Sequence, residues 1–127
     1  MKNNQKILLI DDEPDILEFL SYNFRKNKFG VMTAKDGVEG IRKAETEIPD
    51  IIISDILMPE MNGIDLCKAV RKNSEMNLTP FIFLTALSDD YKVLHAMLSG
   101  ADEFVTKPIR FEYLLSIVNR VVAEKSN

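Results

Sequence analysis

The sequence predicts a single α/β domain in which a parallel five-stranded sheet is covered by helices on both faces. Three observations favour this fold. The length of 127 residues suits one domain, short apolar runs recur along the chain, and stretches with helical periodicity separate these runs. The runs are continuous rather than alternating, which is typical of strands buried on both faces. The predicted strands are 7–10, 31–34, 51–53, 81–84 and 104–105.

The intervals between these runs have the apolar spacing of amphipathic helices. The first helix is predicted to begin at Pro14, which suits an initial turn, and to end before Gly30. The second and third are predicted over 38–47 and 64–72, with Pro49 closing the second, and a fourth covers 91–98. The residues expected to face the sheet are Val38, Ile41, Ala44 and Ile48 in the second helix and Phe111, Leu114, Leu115, Val118 and Val122 in the last.

The alternation of strands and helices favours a flavodoxin-like (βα)5 doubly wound sheet with strand order 2-1-3-4-5. In this order the connections reverse between the first and third strands, and ligands bind at that point beyond the carboxyl ends of the strands. Asp11 and Asp12 end the first strand, and Asp55 follows the third. Thr85 ends the fourth strand and Lys107 follows the fifth. The topology therefore predicts that three carboxylates, a hydroxyl and an ammonium group meet at one edge of the sheet.

Three carboxylates at one place repel one another and need a positive partner. Mg²⁺ suits them, because it prefers oxygen ligands and is usually held by one or two carboxylates together with water and a phosphate. A phosphoryl group entering this edge would also meet the Thr85 hydroxyl and the Lys107 ammonium. This combination favours phosphoryl transfer to a carboxylate nucleophile.

Short motifs follow these strand ends in a specific order. They are IDDEP at 10–14, SDILMP at 54–59, MNG at 61–63, LTA at 84–86, GAD at 100–102 and KP at 107–108. With these motifs the chain resembles the receiver domains of bacterial two-component systems over nearly its whole length. The resemblance implies that the whole chain, 1–127, is one receiver domain without a C-terminal effector domain.

The resemblance assigns roles to the predicted cluster. Asp55 is expected to accept a phosphoryl group from a phosphohistidine on a sensor histidine kinase or a histidine phosphotransfer protein. Mg²⁺, for which Mn²⁺ can substitute, is expected to bind Asp12, Asp55 and the backbone carbonyl of Leu57, with Asp11 acting through water. Lys107 is expected to pair with Asp55 and then with the phosphoryl oxygens. Such a domain catalyses its own phosphorylation and slow dephosphorylation, so it is not an enzyme in the ordinary sense.

The resemblance also implies a conformational switch. Thr85 is expected to move toward the phosphoryl group, which opens space for Phe104 to turn inward. Many receivers carry Tyr where this chain has Phe104, so the switch here lacks a phenolic hydroxyl. The Lys107–Pro108 peptide corresponds to one that is often cis in this family. Leu57 and Leu87 flank the site where relatives carry polar residues, and this favours slow hydrolysis of the phosphorylated state.

The fourth predicted helix has two apolar stripes, whereas one is enough to cover a sheet. Val93, Ala96 and Met97 form one stripe, and the other is expected to face water or a partner. We predict an interaction face there, with a possible phosphorylation-dependent homodimer, formed by Tyr91, Leu94, Leu98 and Tyr113.

Composition excludes several classes of protein. The net charge is −4, whereas a domain that grips nucleic acid needs a basic face, so no direct nucleic-acid binding is expected. No apolar run is long enough to span a membrane. One cysteine, Cys67, excludes an internal disulfide and favours a reducing, cytoplasmic location. Cys67 is interpreted as packing in the third helix and His95 as an exposed helical residue.

Simpler interpretations and three rival functions stay open at this point. Asp12 and Asp55 could cap helices or loops. A flavin-binding electron carrier would need a phosphate cradle after the first strand, where this chain has acidic residues. An aspartyl-phosphate hydrolase would need its nucleophile after the first strand, with a second acid two residues on. A degenerate receiver that acts as a scaffold is disfavoured by the complete set of site residues.

Overall fold

The computed structural model describes residues 5–86 and 90–125, without the side chains of residues 90–93. Within these ranges five strands form one sheet in the order β2-β1-β3-β4-β5, and all neighbouring strands are parallel. The predicted fold and strand order are confirmed. The strands are β1 (Lys6–Ile10), β2 (Gly30–Ala34), β3 (Ile51–Asp55), β4 (Phe81–Thr85) and β5 (Glu103–Thr106).

A helix follows each strand, as the periodicity predicts. The helices are α1 (Pro14–Lys26), α2 (Gly37–Glu47), α3 (Gly63–Lys72), α4 (Asp90–Leu98) and α5 (Phe111–Lys125). In the described part of the chain none of them is long and apolar enough to cross a membrane.

The sheet separates two apolar cores, which explains why its strands are continuous apolar runs. On one face Ile7 and Leu9 pack with residues of α1 and α5, and on the other Leu8 and Ile10 pack with residues of α2 and α3. In α5 the buried side consists of Phe111, Leu114, Ile117, Val118 and Val121, whereas the predicted Leu115 and Val122 are only partly buried.

The apolar side predicted for α2 is wrong in part. Val38 is 49% exposed, and Ile48 lies after the helix in the left-handed region with φ 47°. The buried residues of α2 are Gly37, Gly40 and Ala44. A Cβ at position 40 would lie 2.7 Å from Cδ1 of Ile10, so small residues let this helix approach β1 more closely than Val38 could.

The strand β2 forms an edge of the sheet, and two cationic side chains cover its outward carbonyls. Arg25 of α1 donates to the carbonyl of Val31 at 3.3 Å, and Lys43 of α2 donates to that of Thr33 at 2.5 Å. The neighbouring residue Ala34 instead accepts from the backbone N–H of Asp11, on the side of β1. Both helices beside this strand therefore contribute to closing its free edge.

The start of α3 is fixed against the end of β3. The side chain of Asn62 caps the helix by accepting from the backbone N–H of Asp65 at 2.9 Å. Gly63 follows, and a Cβ there would lie 2.2 Å from the backbone oxygen of Asp55. Since only glycine permits this approach, α3 packs directly on the backbone of a residue that sequence analysis assigns to the site.

Candidate functional site

The parallel register brings the predicted site residues to one edge of the sheet. Ile10 is paired with Ser54, Asp55 with Leu84, and Thr85 with Thr106. The carboxyl ends of these neighbouring strands therefore lie side by side. The residues that reach this common edge are Asp11, Asp12, Asp55, Thr85 and Lys107.

Three carboxylates form a cluster at this edge. Oxygen atoms of Asp11, Asp12 and Asp55 all lie within 4.8 Å of one another. Asp11 is 1% exposed and Asp55 is 8% exposed, whereas Asp12 is exposed. Backbone donors hold the two buried groups: Glu13 N–H donates to Oδ1 of Asp11 at 2.9 Å, and Ile56 N–H donates to Oδ1 of Asp55 at 2.8 Å.

Lys107 supplies the positive charge that faces this cluster. Its Nζ lies 3.0 Å from Oδ2 of Asp11 and 3.3 Å from Oδ2 of Asp55. A third carboxylate, that of Glu13, is closer still, at 2.6 Å. The backbone of Lys107 is fixed by an N–H bond to the carbonyl of Thr85 at 2.8 Å, and the peptide to Pro108 is cis, as the resemblance implies.

Burial and charge shift the pKa values of these groups. Burial raises the pKa of Asp11 above its usual value, although the bond from Glu13 and the charge of Lys107 oppose the shift. Burial and, next, the negative charge of Asp11 raise the pKa of Asp55. Burial alone would lower the pKa of Lys107, but the hydrogen bond to Glu13 and the negative charges of Asp11 and Asp55 outweigh it and raise that pKa. Burial, together with the charge of Asp11 at Asp55, therefore makes the ionised form of these carboxyl groups unfavourable despite the ammonium group.

The donor set fits a small divalent cation. The side-chain ligands of this cluster are all carboxylate oxygens, which Mg²⁺ prefers. Two ligands of one Mg²⁺ lie at most about 4.2 Å apart, close to the span of the cluster. Oδ2 of Asp11 is buried and, within the described ranges, accepts no hydrogen bond, so the ion pair with Lys107 balances its charge. A buried oxygen with unused lone pairs is what a cation or its water shell would occupy.

The register places the predicted switch residues on the same face of the sheet, because Phe104 is paired with Phe83, two residues before Thr85. The side chain of Thr85 is buried, whereas that of Phe104 is exposed, in a strand where Val105 points into the core. Leu57 is exposed just after β3. Leu87 lies outside the described residues.

The predicted interaction face is exposed where the structure describes it. Leu94 and Leu98 of α4 and Tyr113 of α5 are all exposed, and Leu98 is the most exposed of the three, at 76%. The side chain of Tyr91 lies outside the described residues. Ala96 of the other stripe is buried, so the assignment of the two stripes of α4 is confirmed for these residues.

His95 is exposed and Cys67 is buried, as predicted, and burial raises the pKa of the Cys67 thiol.

Sequence reasoning missed the contact between Glu13 and Lys107. The two residues are 94 positions apart, and the acids after β1 were assigned only to metal binding or helix capping. One signal was present in the sequence. Glu13 precedes Pro14 at the start of a helix, where Ser, Thr, Asp or Asn would be the usual capping residues.

Comparison with known proteins places this chain in a family. A sequence model described as the response regulator receiver domain matches residues 7–119. The alkaline phosphatase synthesis transcriptional regulatory protein PhoP of Bacillus subtilis is 41% identical over 105 residues, which are 83% of this chain and 43% of PhoP. The response regulator ArlR of Staphylococcus aureus is 32% identical over 117 residues, 92% of this chain and 52% of ArlR. The chain thus spans about half the length of these relatives.

Solved structures agree with this assignment. The signal receiver domain of a signal transduction histidine kinase from Syntrophus aciditrophicus is 35% identical with a TM-score of 0.88, over 94% of this chain and 91% of that one. The chemotaxis response regulator CheY4 of Vibrio cholerae is also 35% identical with a TM-score of 0.88, over 94% and 99% of the two chains. Sequence and fold lead to one conclusion: this chain belongs to the response regulator receiver domain family.

Proposed function

We propose that this domain accepts a phosphoryl group on Asp55 from a phosphohistidine of a sensor histidine kinase or a histidine phosphotransfer protein. One observation carries the proposal. The carboxylate of Asp55 lies 3.3 Å from the Lys107 ammonium and within 4.8 Å of the carboxylates of Asp11 and Asp12. Family membership supports it, because response regulators receive phosphoryl groups from histidine kinases in two-component signalling.

The transfer is a displacement at phosphorus. A carboxylate oxygen of Asp55 forms the new bond while the phosphorus–nitrogen bond of the donor breaks, and its electron pair remains on the imidazole nitrogen. Lys107 offsets the negative charge that gathers on the phosphoryl oxygens. The backbone N–H of Ile56 holds the other oxygen of Asp55 at 2.8 Å and so fixes the orientation of the nucleophile.

The carboxylates suit Mg²⁺ as the cofactor, with Mn²⁺ as a substitute. In this proposal Asp12, Asp55 and the backbone carbonyl of Leu57 are the direct ligands, and Asp11 acts through water. The cation would supply positive charge beside the transferred phosphoryl oxygens. The domain modifies only itself and turns over no separate substrate.

Phosphorylation would then bias an equilibrium between two conformations of the β4 and β5 ends. The hydroxyl of Thr85 moves toward the phosphoryl group, and Phe104 leaves its exposed position for the space behind it. The altered surface extends to Leu94, Leu98 and Tyr113, where a second copy of the domain would associate. The domain itself does not contact nucleic acid in this proposal.

The chemistry can be tested with acetyl phosphate and Mg²⁺ followed by intact mass measurement. We expect a single phosphoryl adduct on the wild-type protein, and none after Asp55→Asn or when a chelator removes the metal. Asp65→Asn is the matched control, because Asp65 is an exposed acid near the start of α3 and outside the carboxylate cluster. An adduct that persists in Asp55→Asn would place the acceptor elsewhere and end the proposal.

A further inference from the structure

We propose that Glu13 is a positioning residue that competes with Asp55 for Lys107 and releases it when the phosphoryl group arrives. This inference rests on the proposed function and assigns a role to a residue outside the acceptor and the metal ligands. It starts from a difference in distance. Nζ of Lys107 lies 2.6 Å from Oε1 of Glu13 but 3.3 Å from Oδ2 of Asp55.

The backbone around Glu13 explains why its side chain is available for this contact. Glu13 occupies the N-cap position of α1, yet its side chain makes no capping hydrogen bond. Pro14 follows and has no N–H to satisfy, and Oδ1 of Asp11 accepts the backbone N–H of Glu13 at 2.9 Å. The helix therefore does not need the Glu13 carboxylate as a cap. The backbone of Glu13, from which this side chain extends, is fixed beside the carboxylate cluster.

The two carboxylates that compete for the ammonium group, those of Glu13 and Asp55, differ in solvent exposure. The side chain of Glu13 is 59% exposed and that of Lys107 is 12% exposed. The side chain of Asp55 lies deeper than that of Glu13 and is 11% exposed. Glu13 thus holds the ammonium from the solvent side, at the mouth through which a phosphodonor must enter, and its own charge repels an anionic donor.

Phosphorylation reverses the preference of Lys107. A phosphoryl group on Asp55 adds negative charge and strong acceptor oxygens on the inner side, so the ammonium moves off Glu13. The contact with Glu13 must then be given up, and because the Glu13 end of this ion pair is exposed, the loss is modest. Before phosphorylation the same carboxylate adds a fourth negative charge beside the cluster and favours a divalent cation.

Removing the Glu13 charge should therefore change two affinities in opposite directions. We expect Glu13→Gln to bind beryllofluoride, a phosphoryl mimic, about two- to five-fold more tightly at saturating Mg²⁺, and to bind Mg²⁺ alone about two- to five-fold more weakly. Calorimetric titration suits both measurements, since the chain has no Trp for fluorescence. A merely structural role for Glu13 would lower both affinities together.

Two further variants separate the contact from the charge. Glu13→Asp keeps the charge on a side chain one methylene shorter, so it should bind beryllofluoride more tightly than wild type while its Mg²⁺ affinity stays near that of wild type. Asp15→Asn removes an exposed acid from the first turn of the same helix and should change neither affinity by more than about 1.5-fold.

The outcomes that overturn the inference are distinct from failure of the proposed function. Equal beryllofluoride affinities of wild type and Glu13→Gln, or equal effects of Glu13→Gln and Asp15→Asn, would show that Glu13 does not compete for Lys107. If the wild-type protein bound no beryllofluoride and accepted no phosphoryl group on Asp55, the proposed function itself would fail.

Discussion

Arg71 of α3 and Asp102, just before β5, form an ion pair at the edge of the sheet opposite the candidate site, with Nη2 and Oδ2 3.1 Å apart. The same oxygen of Asp102 accepts the backbone N–H of Phe81 at 2.8 Å, and Oδ1 lies 3.2 Å from Nζ of Lys125. Arg71 also donates to the carbonyls of Gly100 and Thr79 at 2.8 and 2.7 Å. One guanidinium thus joins α3 to the segments that precede β4 and β5.

Arg71→Ala should lower the free energy of unfolding by about 3 kcal/mol, because the hydrogen bonds of the guanidinium to Asp102 and to two backbone carbonyls are lost. Urea denaturation measures the effect. Lys72→Ala, at the exposed neighbouring position of α3, is the control and should stay within about 0.5 kcal/mol of wild type. If urea denaturation showed a loss below about 1 kcal/mol for Arg71→Ala, Arg71 would not hold α3 to the segments before β4 and β5.

The raised pKa of Asp55 has a consequence for stability. A folded-state pKa above the unfolded value means that the folded protein binds the proton more tightly, so stability is lost as pH rises through the folded pKa. In metal-free buffer at pH 7, Asp55→Asn should therefore raise the free energy of unfolding by on the order of 1 kcal/mol. The advantage should shrink as pH falls toward the unfolded pKa of Asp, about 3.9.

Urea denaturation of the wild type and of Asp55→Asn between pH 4 and pH 7 measures the difference in their free energies of unfolding. We expect this difference to be about 1 kcal/mol at pH 7 and smaller at lower pH. Asp65→Asn is the control, because the carboxylate of Asp65 is exposed and lies outside the cluster. A variant Asp55→Asn that is less stable than wild type at pH 7 would mean that the ion pair with Lys107 outweighs burial and the charge of Asp11.

Gly63→Ala should damage both stability and phosphorylation. The added Cβ would lie 2.2 Å from the backbone oxygen of Asp55, so either α3 or the acceptor residue must move. We expect a loss of about 2 kcal/mol in the free energy of unfolding and slower adduct formation with acetyl phosphate. Gly30→Ala is a matched control, since its nearest neighbour would be at 3.5 Å. Equal phosphorylation rates in the two variants would argue against this contact.

Leu57→Asn should shorten the lifetime of the phosphorylated state. An exposed polar side chain beside Asp55 can hold an attacking water, which Leu57 does not do. The expected acceleration of dephosphorylation is roughly two- to ten-fold, the range that corresponds to one net hydrogen bond of about 0.5–1.5 kcal/mol. Loss of the adduct over time by intact mass measures it, with the distant exposed Leu78→Asn as control. Slower dephosphorylation in Leu57→Asn would refute the hypothesis.

The double substitution Leu94→Asp and Leu98→Asp should abolish phosphorylation-dependent association. Both side chains are exposed on α4, and two buried carboxylates would be costly in an apolar interface. Size-exclusion chromatography after treatment with beryllofluoride compares the variant with wild type. Leu78→Asp, at another exposed Leu, should leave association intact. Dimers that survive the double substitution would rule out this face.

Sequence reasoning predicted the strands to within two residues at each end, because continuous apolar runs are needed where both faces of a sheet are buried. It also predicted which side chains meet at the site, since parallel strands end at one edge. Those positions follow from chain order alone. No contact between side chains was needed to infer them.

The failures concern packing at short range. The apolar side predicted for α2 was wrong at Val38 and Ile48, because Gly40 allows a close approach to Ile10 and glycine carries no hydrophobic signal in a periodic pattern. The contact between Glu13 and Lys107 depends on where two side chains end, 94 positions apart. The path of the backbone determines such distances, and local sequence does not encode them.

The covered edge of β2 limits how molecules of this protein could join. Extending a sheet from one molecule into the next requires free main-chain acceptors, and Arg25 and Lys43 already occupy those of Val31 and Thr33. An incoming strand would have to displace two cations before its first hydrogen bond formed. Pairing of two molecules edge to edge through β2 is therefore disfavoured, and a contact on this side of the sheet has to be made by side chains, whose affinity can be tuned one residue at a time.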